Sequence, residues 1–302
     1  MTLIWISIFA ALEAQAQACP AKTVLANMLI EVIERGIDEP VKGLELGDLT
    51  LIGKGAEPTP IGLATALPAD IVVLVEDRSR GGLLAGAADL LVKSLQPADR
   101  VAVLTYGVSS KRQLEFSKDG EAIRVAIEKG ADSLQLQVAR PLYGIVEAMK
   151  LFNKPEPGRL RAIFLLGDNM DFGSQIRIEQ LATNLIEDRI SVDLAIDPAP
   201  RRIIPRVNVP PPTVGNDSPA MRPVLVGQQS VSSLAEATGG TASAYVRAEF
   251  FKAMRERLAQ RFAVQYCVEK KLMSRPPVVE LSAAGKRKFP SADVRAPGRA
   301  TR

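Results

Sequence analysis

The chain has 302 residues, 47% hydrophobic and 24% charged, with a formal charge of +4, two cysteines and no histidine. That is enough apolar material for one large core and a small accessory unit. The missing histidine removes Ser-His-Asp and Cys-His nucleophile systems, His-ligated zinc and the commonest general acid/base at neutral pH, and Cys19 and Cys267 are too few for a thiolate zinc site.

Residues 1–18, MTLIWISIFAALEAQAQA, carry an apolar run from Leu3 to Leu12 and end in Ala16-Gln17-Ala18, the small-x-small pattern of a leader cleavage site. They read as a signal peptide, although no Lys or Arg precedes the run. The expected location is exported, periplasmic or extracellular. The run is shorter than the roughly 20 residues of a membrane span, and no later stretch reads as an integral span. Cys19 becomes the first mature residue. It can pair with Cys267 or carry an acyl chain, but Ala16 stands where lipoprotein sites usually have Leu.

Residues 19–66 read as an N-terminal β-rich segment: VLANMLIEVIE, the turn RGIDEP, then VKGLELGDLTLIGKG. From Ala69 apolar runs alternate with helical stretches, the signature of a parallel sheet covered on both faces. The strands are Ile71–Val75, 101–107, an antiparallel neighbour at 112–116, Arg161–Leu166 and 190–196. Helical spacing occupies 82–95, about 119–129, 141–153 and 176–188. The proline-dense stretch 198–223 reads as a surface insertion. SSLAEAT, a strand near 241–246 and an amphipathic helix to about 260 complete a region spanning 69–260.

Residues 261–302 return to β character in FAVQYCVEK and PPVVELSAA, then end in a basic tail. Residues 285–302 hold six Lys/Arg against one Asp and read as a solvated, partly frayed terminus rather than a nucleic-acid or lipid contact. The expected fold is α/β: a doubly wound, mostly parallel sheet flanked by helices, with a small discontinuous β unit formed by the two ends of the chain.

Asp77 in IVVLVEDRSRGG and Asp168 in RAIFLLGDNMDFGS each follow a buried parallel strand, and open α/β sheets bind ligands beyond such strand ends. Together with PADRVAVLTYG, LAEATGG and VKGLELGDLTLIG, whose order and spacing agree, the sequence resembles a von Willebrand factor type A domain. It is most similar to the group of such domains in secreted acidobacterial proteins, over most of the mature chain.

The resemblance implies a metal-ion-dependent adhesion site for Mg²⁺ or Mn²⁺, built from Asp-x-Ser-x-Ser, a Thr before the third helix and an Asp after the fourth strand, with a partner carboxylate completing the octahedron. Asp77 and Ser79 match the first two positions, the third is Gly81, and Asp168 matches the last. Aligning Leu142-Tyr143 places Arg140 where the Thr belongs. Three readings follow. A weakened metal site can persist on Asp77, Ser79 and Asp168; the Arg140 guanidinium can replace the ion between two carboxylates, leaving a partner-binding face of Asp77, Ser79, Arg140 and Asp168; or Asp77, Ser79 and Asp168 merely cap helices.

The expectation is a non-enzymatic protein-binding module of adhesion or scaffold type with no cofactor and a degenerate metal site, Mg²⁺ being the alternative. A receiver domain fails on spacing and on Asp197 where its Lys should stand. A carboxylate-based hydrolase lacks a nucleophile and a phosphate loop.

Overall fold

The computed structural model describes residues 19–20, 22–35, 39–53, 58, 60–65, 67–77, 81–107, 109–130, 140–152, 159–167, 169–171, 174–196, 229–244, 248–269, 271 and 277–296. Residues 1–18, Ser79, Asp168 and the proline-dense stretch 198–223 lie outside the described residues.

The chain begins with β1 (Thr23–Glu34), β2 (Glu39–Pro40), a 3-10 turn at Leu46–Asp48, β3 (Leu49–Ile52) and β4 (Pro60–Ala64). The alternating region follows: β5 (Ala69–Glu76), α1 (Gly81–Ser94), β6 (Arg100–Tyr106), β7 (Ser110–Ser117), α2 (Gly120–Gly130), α3 (Pro141–Met149), β8 (Leu160–Gly167), β9 (Met170–Asp171), α4 (Ile178–Glu187) and β10 (Ile190–Ile196). Then come β11 (Gln229–Ser230), α5 (Val231–Ala237), β12 (Ala242–Ala244), α6 (Phe250–Gln260), β13 (Phe262–Glu269), β14 (Val278–Leu281), α7 (Ala283–Lys288) and β15 (Ala292–Arg295).

The central sheet runs β12-β10-β8-β5-β6-β7, parallel throughout except for β7. Val73 lies between Phe164 of β8 and Val103 of β6, so the strands at 71–75 and 161–166 are neighbours as expected. Every residue of β5 and β8 is buried, which is why both read as unbroken apolar runs rather than alternating ones. One face, through Ile71, Val73 and Val75, packs on Leu84 and Leu91 of α1, Ile127 of α2 and Phe251 and Leu258 of α6. The other, through Val72 and Leu74, packs on Ile145 of α3, Leu181 and Leu185 of α4 and Leu234 of α5. Each such side chain contributes about 1.5–3 kcal/mol on burial.

The helix ends have local causes. Asp119 Oδ1 accepts from the backbone N–H groups of Glu121 and Ala122 at the start of α2. Pro141, whose missing N–H costs nothing in a first turn, opens α3. That helix stops at Met149, short of the expected residue 153.

The two ends of the chain form one β unit, as the alternation at both ends predicts. β1 pairs antiparallel with β13 from Thr23↔Glu269 to Ile30↔Phe262, and with β15 from Glu31↔Arg295 to Glu34↔Ala292. β4 flanks β13, and the β3–β14 ribbon supplies Leu49, Leu51, Val279 and Leu281 to a shared core with Met28, Ile30, Val264 and Tyr266. The disulfide left open by the sequence is formed: Cys19 and Cys267 are bonded, their Cα atoms 5.5 Å apart. The sulfur that an acyl chain would occupy is therefore engaged.

The basic tail requires a correction. Residues 283–288 form α7 and 292–295 form β15, so the frayed-terminus reading fails for them. Ser282 caps α7 by accepting from Gly285 N at 3.1 Å, and Lys288 donates to Gly43 O, Glu45 and Asp48. Charge density had masked the alternation of Ala292 and Val294, which pack on the β-unit core.

Candidate functional site

Beyond the C-terminal ends of β5, β6 and β8 the loops gather around Gly107. Asp77 N donates to Tyr106 O at 2.9 Å. A Cβ on Gly107 would meet the Asp77 carboxylate, which occupies the space the missing side chain leaves. Gly107 O in turn accepts from Arg140 N at 3.1 Å. Asp77 and Arg140, 63 positions apart in the sequence, thus meet on two sides of one glycine.

The Arg140 guanidinium lies 5.9 Å from the centroid of the Tyr143 ring, within cation–π range. Tyr143 is 37% exposed, one of few large apolar side chains so open. Among the described residues no carboxylate forms an ion pair with Arg140, so the bridge expected between Arg140 and Asp77 is not among their contacts. Ser79 and Asp168 fall outside the described residues; Gly167 and Asn169 on either side of Asp168 belong to the same strand end.

Three residues of this region escaped sequence reasoning. Asp171, 1% exposed, accepts from Leu142 N through Oδ1 at 3.2 Å and from Ser174 N through Oδ2 at 3.1 Å, clamping the first turn of α3 to the loop after β8. Its three-residue spacing to Ser174, the signature of a side-chain-capped turn, was the available signal. Asn169 accepts from Val231 N through its carbonyl at 2.8 Å and from Ser232 N through Oδ1 at 2.8 Å, which anchors α5 to the end of β8. Glu76 is 8% exposed; its carboxylate and the Tyr106 hydroxyl both lie where a Cβ on Gly167 would stand. In the sequence it stands between an apolar run and Asp77, with no spacing that marks it.

A hard divalent cation needs about six oxygens in an octahedron. Of the positions the resemblance implies, Gly81 has no side-chain oxygen and Arg140 brings a cation. Among the described residues no group of three or more acidic or sulfur side chains is placed to hold a metal ion.

A mostly parallel sheet with helices on both faces defines a doubly wound α/β fold. No protein-family model matches the sequence, and no curated protein matches it. The solved structures similar to this chain are von Willebrand factor type A domain proteins. One is a von Willebrand factor type A protein from Catenulispora acidiphila, 14% identical over 81% of this chain and 51% of that one, TM-score 0.45. Another is an aerotolerance-related membrane protein from Bacteroides fragilis, 16% identical over 63% of this chain and 98% of that one, TM-score 0.46. A third is proximal thread matrix protein 1 from the mussel byssus, in a form with a zinc-occupied MIDAS motif, 14% identical over 73% of this chain and 50% of that one, TM-score 0.44. The likeness is one of fold.

Proposed function

We propose that the protein is an exported, non-enzymatic binding module whose strand-end face engages a protein partner without a metal ion. The observation that carries this reading is Arg140, held by its backbone against Gly107 beside Asp77, with its guanidinium over the exposed ring of Tyr143. Arg and Tyr are the side chains that dominate protein interfaces, because each offers a large contact area with a polar handle. A cation fixed at the hydroxyl position opposes a second cation there by like-charge repulsion.

The leader-like residues 1–18 and the Cys19–Cys267 bond support export, since structural disulfides persist in oxidising compartments. We assign residues 69–260 to the binding domain, 19–66 and 261–302 to the β unit, and Asp77, Ser79, Arg140 and Asp168 to the contact face. The absence of histidine supports a role in binding rather than catalysis.

The test is capture of partners from the native envelope by wild type, Arg140→Ala and Tyr143→Ala, each with Mg²⁺ and with chelator. Retention in chelator with loss in Arg140→Ala is the expected outcome. Loss in chelator would overturn the metal-free reading and favour a working Mg²⁺ site. In parallel calorimetry, wild type should show no micromolar Mg²⁺ binding, whereas Gly81→Ser with Arg140→Thr, which restores two hydroxyls, should acquire measurable affinity.

A further inference from the structure

Four cations reach the carboxyl edge of the central sheet from four different elements. Arg140 precedes α3, where the Tyr106 side chain fills the place of a Cβ on Gly144, so the helix starts against the end of β6. Lys111 of β7 is paired in register with Thr105 near the end of the same strand. Gly107 links the two, its N–H donating to Ser109 O and its carbonyl accepting from Arg140 N, each at 3.1 Å. Lys129 lies in the last turn of α2, which ends at Gly130 against the Thr105 side chain. Arg177 precedes α4, three residues after Ser174, whose N–H is held by Asp171 together with that of Leu142.

Lys111, Lys129 and Arg177 are exposed and Arg140 is half-buried. Among the described residues none of the four side chains has an ion pair or a hydrogen-bond partner. Nearby carboxylates are already engaged: Glu115 with Arg112, Glu128 with Arg124, and the buried Asp171 with two backbone N–H groups. Asp77, lying against Gly107, and the exposed Glu179 of α4 remain beside the four cations, which leaves this surface positive. Like charges gathered without internal partners repel one another. A partner carrying carboxylates replaces that repulsion with attraction and is steered towards the face as it approaches.

We propose, resting on the metal-free reading of this face, that the partner presents an acidic segment, with one carboxylate on the Arg140 guanidinium beside Tyr143 and others on Lys111, Lys129 and Arg177. The open position of a metal ion takes a single carboxylate, whereas four dispersed cations call for several. A guanidinium receives a carboxylate through two parallel N–H donors, and the lysines need only opposite charge within reach. A protein segment fits better than single-stranded nucleic acid, which stacks on a series of aromatic platforms; Tyr143 is the one large exposed aromatic among the described residues.

The experiment titrates the full chain, disulfide formed and in chelator, into a fluorescein-labelled peptide of alternating glutamate and glycine, read by anisotropy. Its glutamine counterpart and a single-stranded oligonucleotide of equal charge are run beside it. The glutamate peptide should bind and the glutamine peptide should not, with affinity falling about tenfold or more from low to high salt as the charges are screened. Reversing two exposed charges, Lys111→Glu with Lys129→Glu, should weaken binding about tenfold or more, and Arg140→Gln should weaken it too. Lys118→Glu, at the amino end of the sheet where Ser117 pairs with Val101, reverses another exposed cation without an ion pair and should change binding less than about twofold. The proposal is overturned if the glutamate peptide does not bind, if Lys118→Glu weakens it as much as the double reversal, or if the oligonucleotide binds as tightly. In envelope capture, a partner retained in chelator but not displaced by excess glutamate peptide overturns the acidic segment and leaves the metal-free reading standing; loss in chelator overturns both.

Discussion

Asp99→Asn isolates what the buried charges beneath the sheet contribute. Asp99 is 2% exposed, in the turn before β6. Its Oδ1 accepts from Ala69 N at 2.7 Å; its Oδ2 accepts from Gln96 N at 2.8 Å and from Arg255 Nε of α6 at 2.6 Å. Both Nη atoms of Arg255 are buried without a hydrogen-bond partner. Asparagine keeps the shape but removes the charge and turns one acceptor into a donor among donors. The guanidinium is then buried with no counter-ion, which costs about 3–5 kcal/mol. Arg255→Met is the milder change. It removes the two unpartnered nitrogens, fills the space with a flexible apolar chain, and leaves the carboxylate its two backbone N–H donors, for about 1–2 kcal/mol. The double variant should lose less than the sum of the two. Urea unfolding at neutral pH measures all four proteins, and an Arg255→Met cost equal to or above that of Asp99→Asn would refute the asymmetry and the desolvation argument behind it.

Two further perturbations test the fold. Burial opposes ionisation of Asp70, but hydrogen bonds and charge from Arg100 and Arg159 outweigh it and hold the carboxyl below its ordinary range. A depressed carboxylate stabilises the fold above its unfolded pKa of about 3.9, and the benefit disappears as pH falls through the lower folded value. Asp70→Asn should therefore be less stable than wild type at neutral pH, with the gap closing towards pH 2 in a denaturant series; a gap independent of pH would count against the assignment. Reducing the Cys19–Cys267 bond, which closes a loop of sequence separation 248, should cost about 3–5 kcal/mol by releasing the unfolded chain. Denaturation with and without reductant measures it, and an unchanged midpoint would show that β1–β13 pairing alone sets that register.

The central strands were legible because parallel strands covered on both faces leave a continuous apolar record, as at Ile71–Val75 and Arg161–Leu166. The meeting of the two chain ends followed from alternation in VLANMLIEVIE and FAVQYCVEK. What remained hidden was non-local. Nothing near Asp193 announces that Arg261 Nη2 will reach it at 2.9 Å, or that Thr241 N will donate to the same oxygen at 3.0 Å. A charged residue inside an apolar strand is a sequence anomaly, but its partner is chosen by tertiary packing. In the strand-end cluster, Asp77 and Arg140 were legible through spacing and resemblance. Asp171 and Glu76 were not, because the first acts through two backbone N–H groups and the second is buried beside Gly167 and Tyr106, which only the fold brings to it.

The distribution of paired charge supports the proposed placement of the contact face at one end of the sheet. At the amino edge Asp70 is held by Arg100 and Arg159, and Asp99 by Arg255, while Arg257 of α6 grips Glu31 of β1 at 2.6 Å. One helix, α6, thereby ties the central sheet to the β unit through charges that are largely removed from water and already matched to their partners. Such groups have little left to offer a ligand, since rupturing them to bind one would incur the desolvation cost described for Asp99. At the carboxyl edge the backbone holds Arg140 and Asp77 in place through Gly107 and Tyr106, and the Arg140 guanidinium rests on an aromatic face rather than on a described carboxylate. A partner that supplies an acceptor to that guanidinium gains a charge-assisted hydrogen bond without breaking any contact the fold depends on.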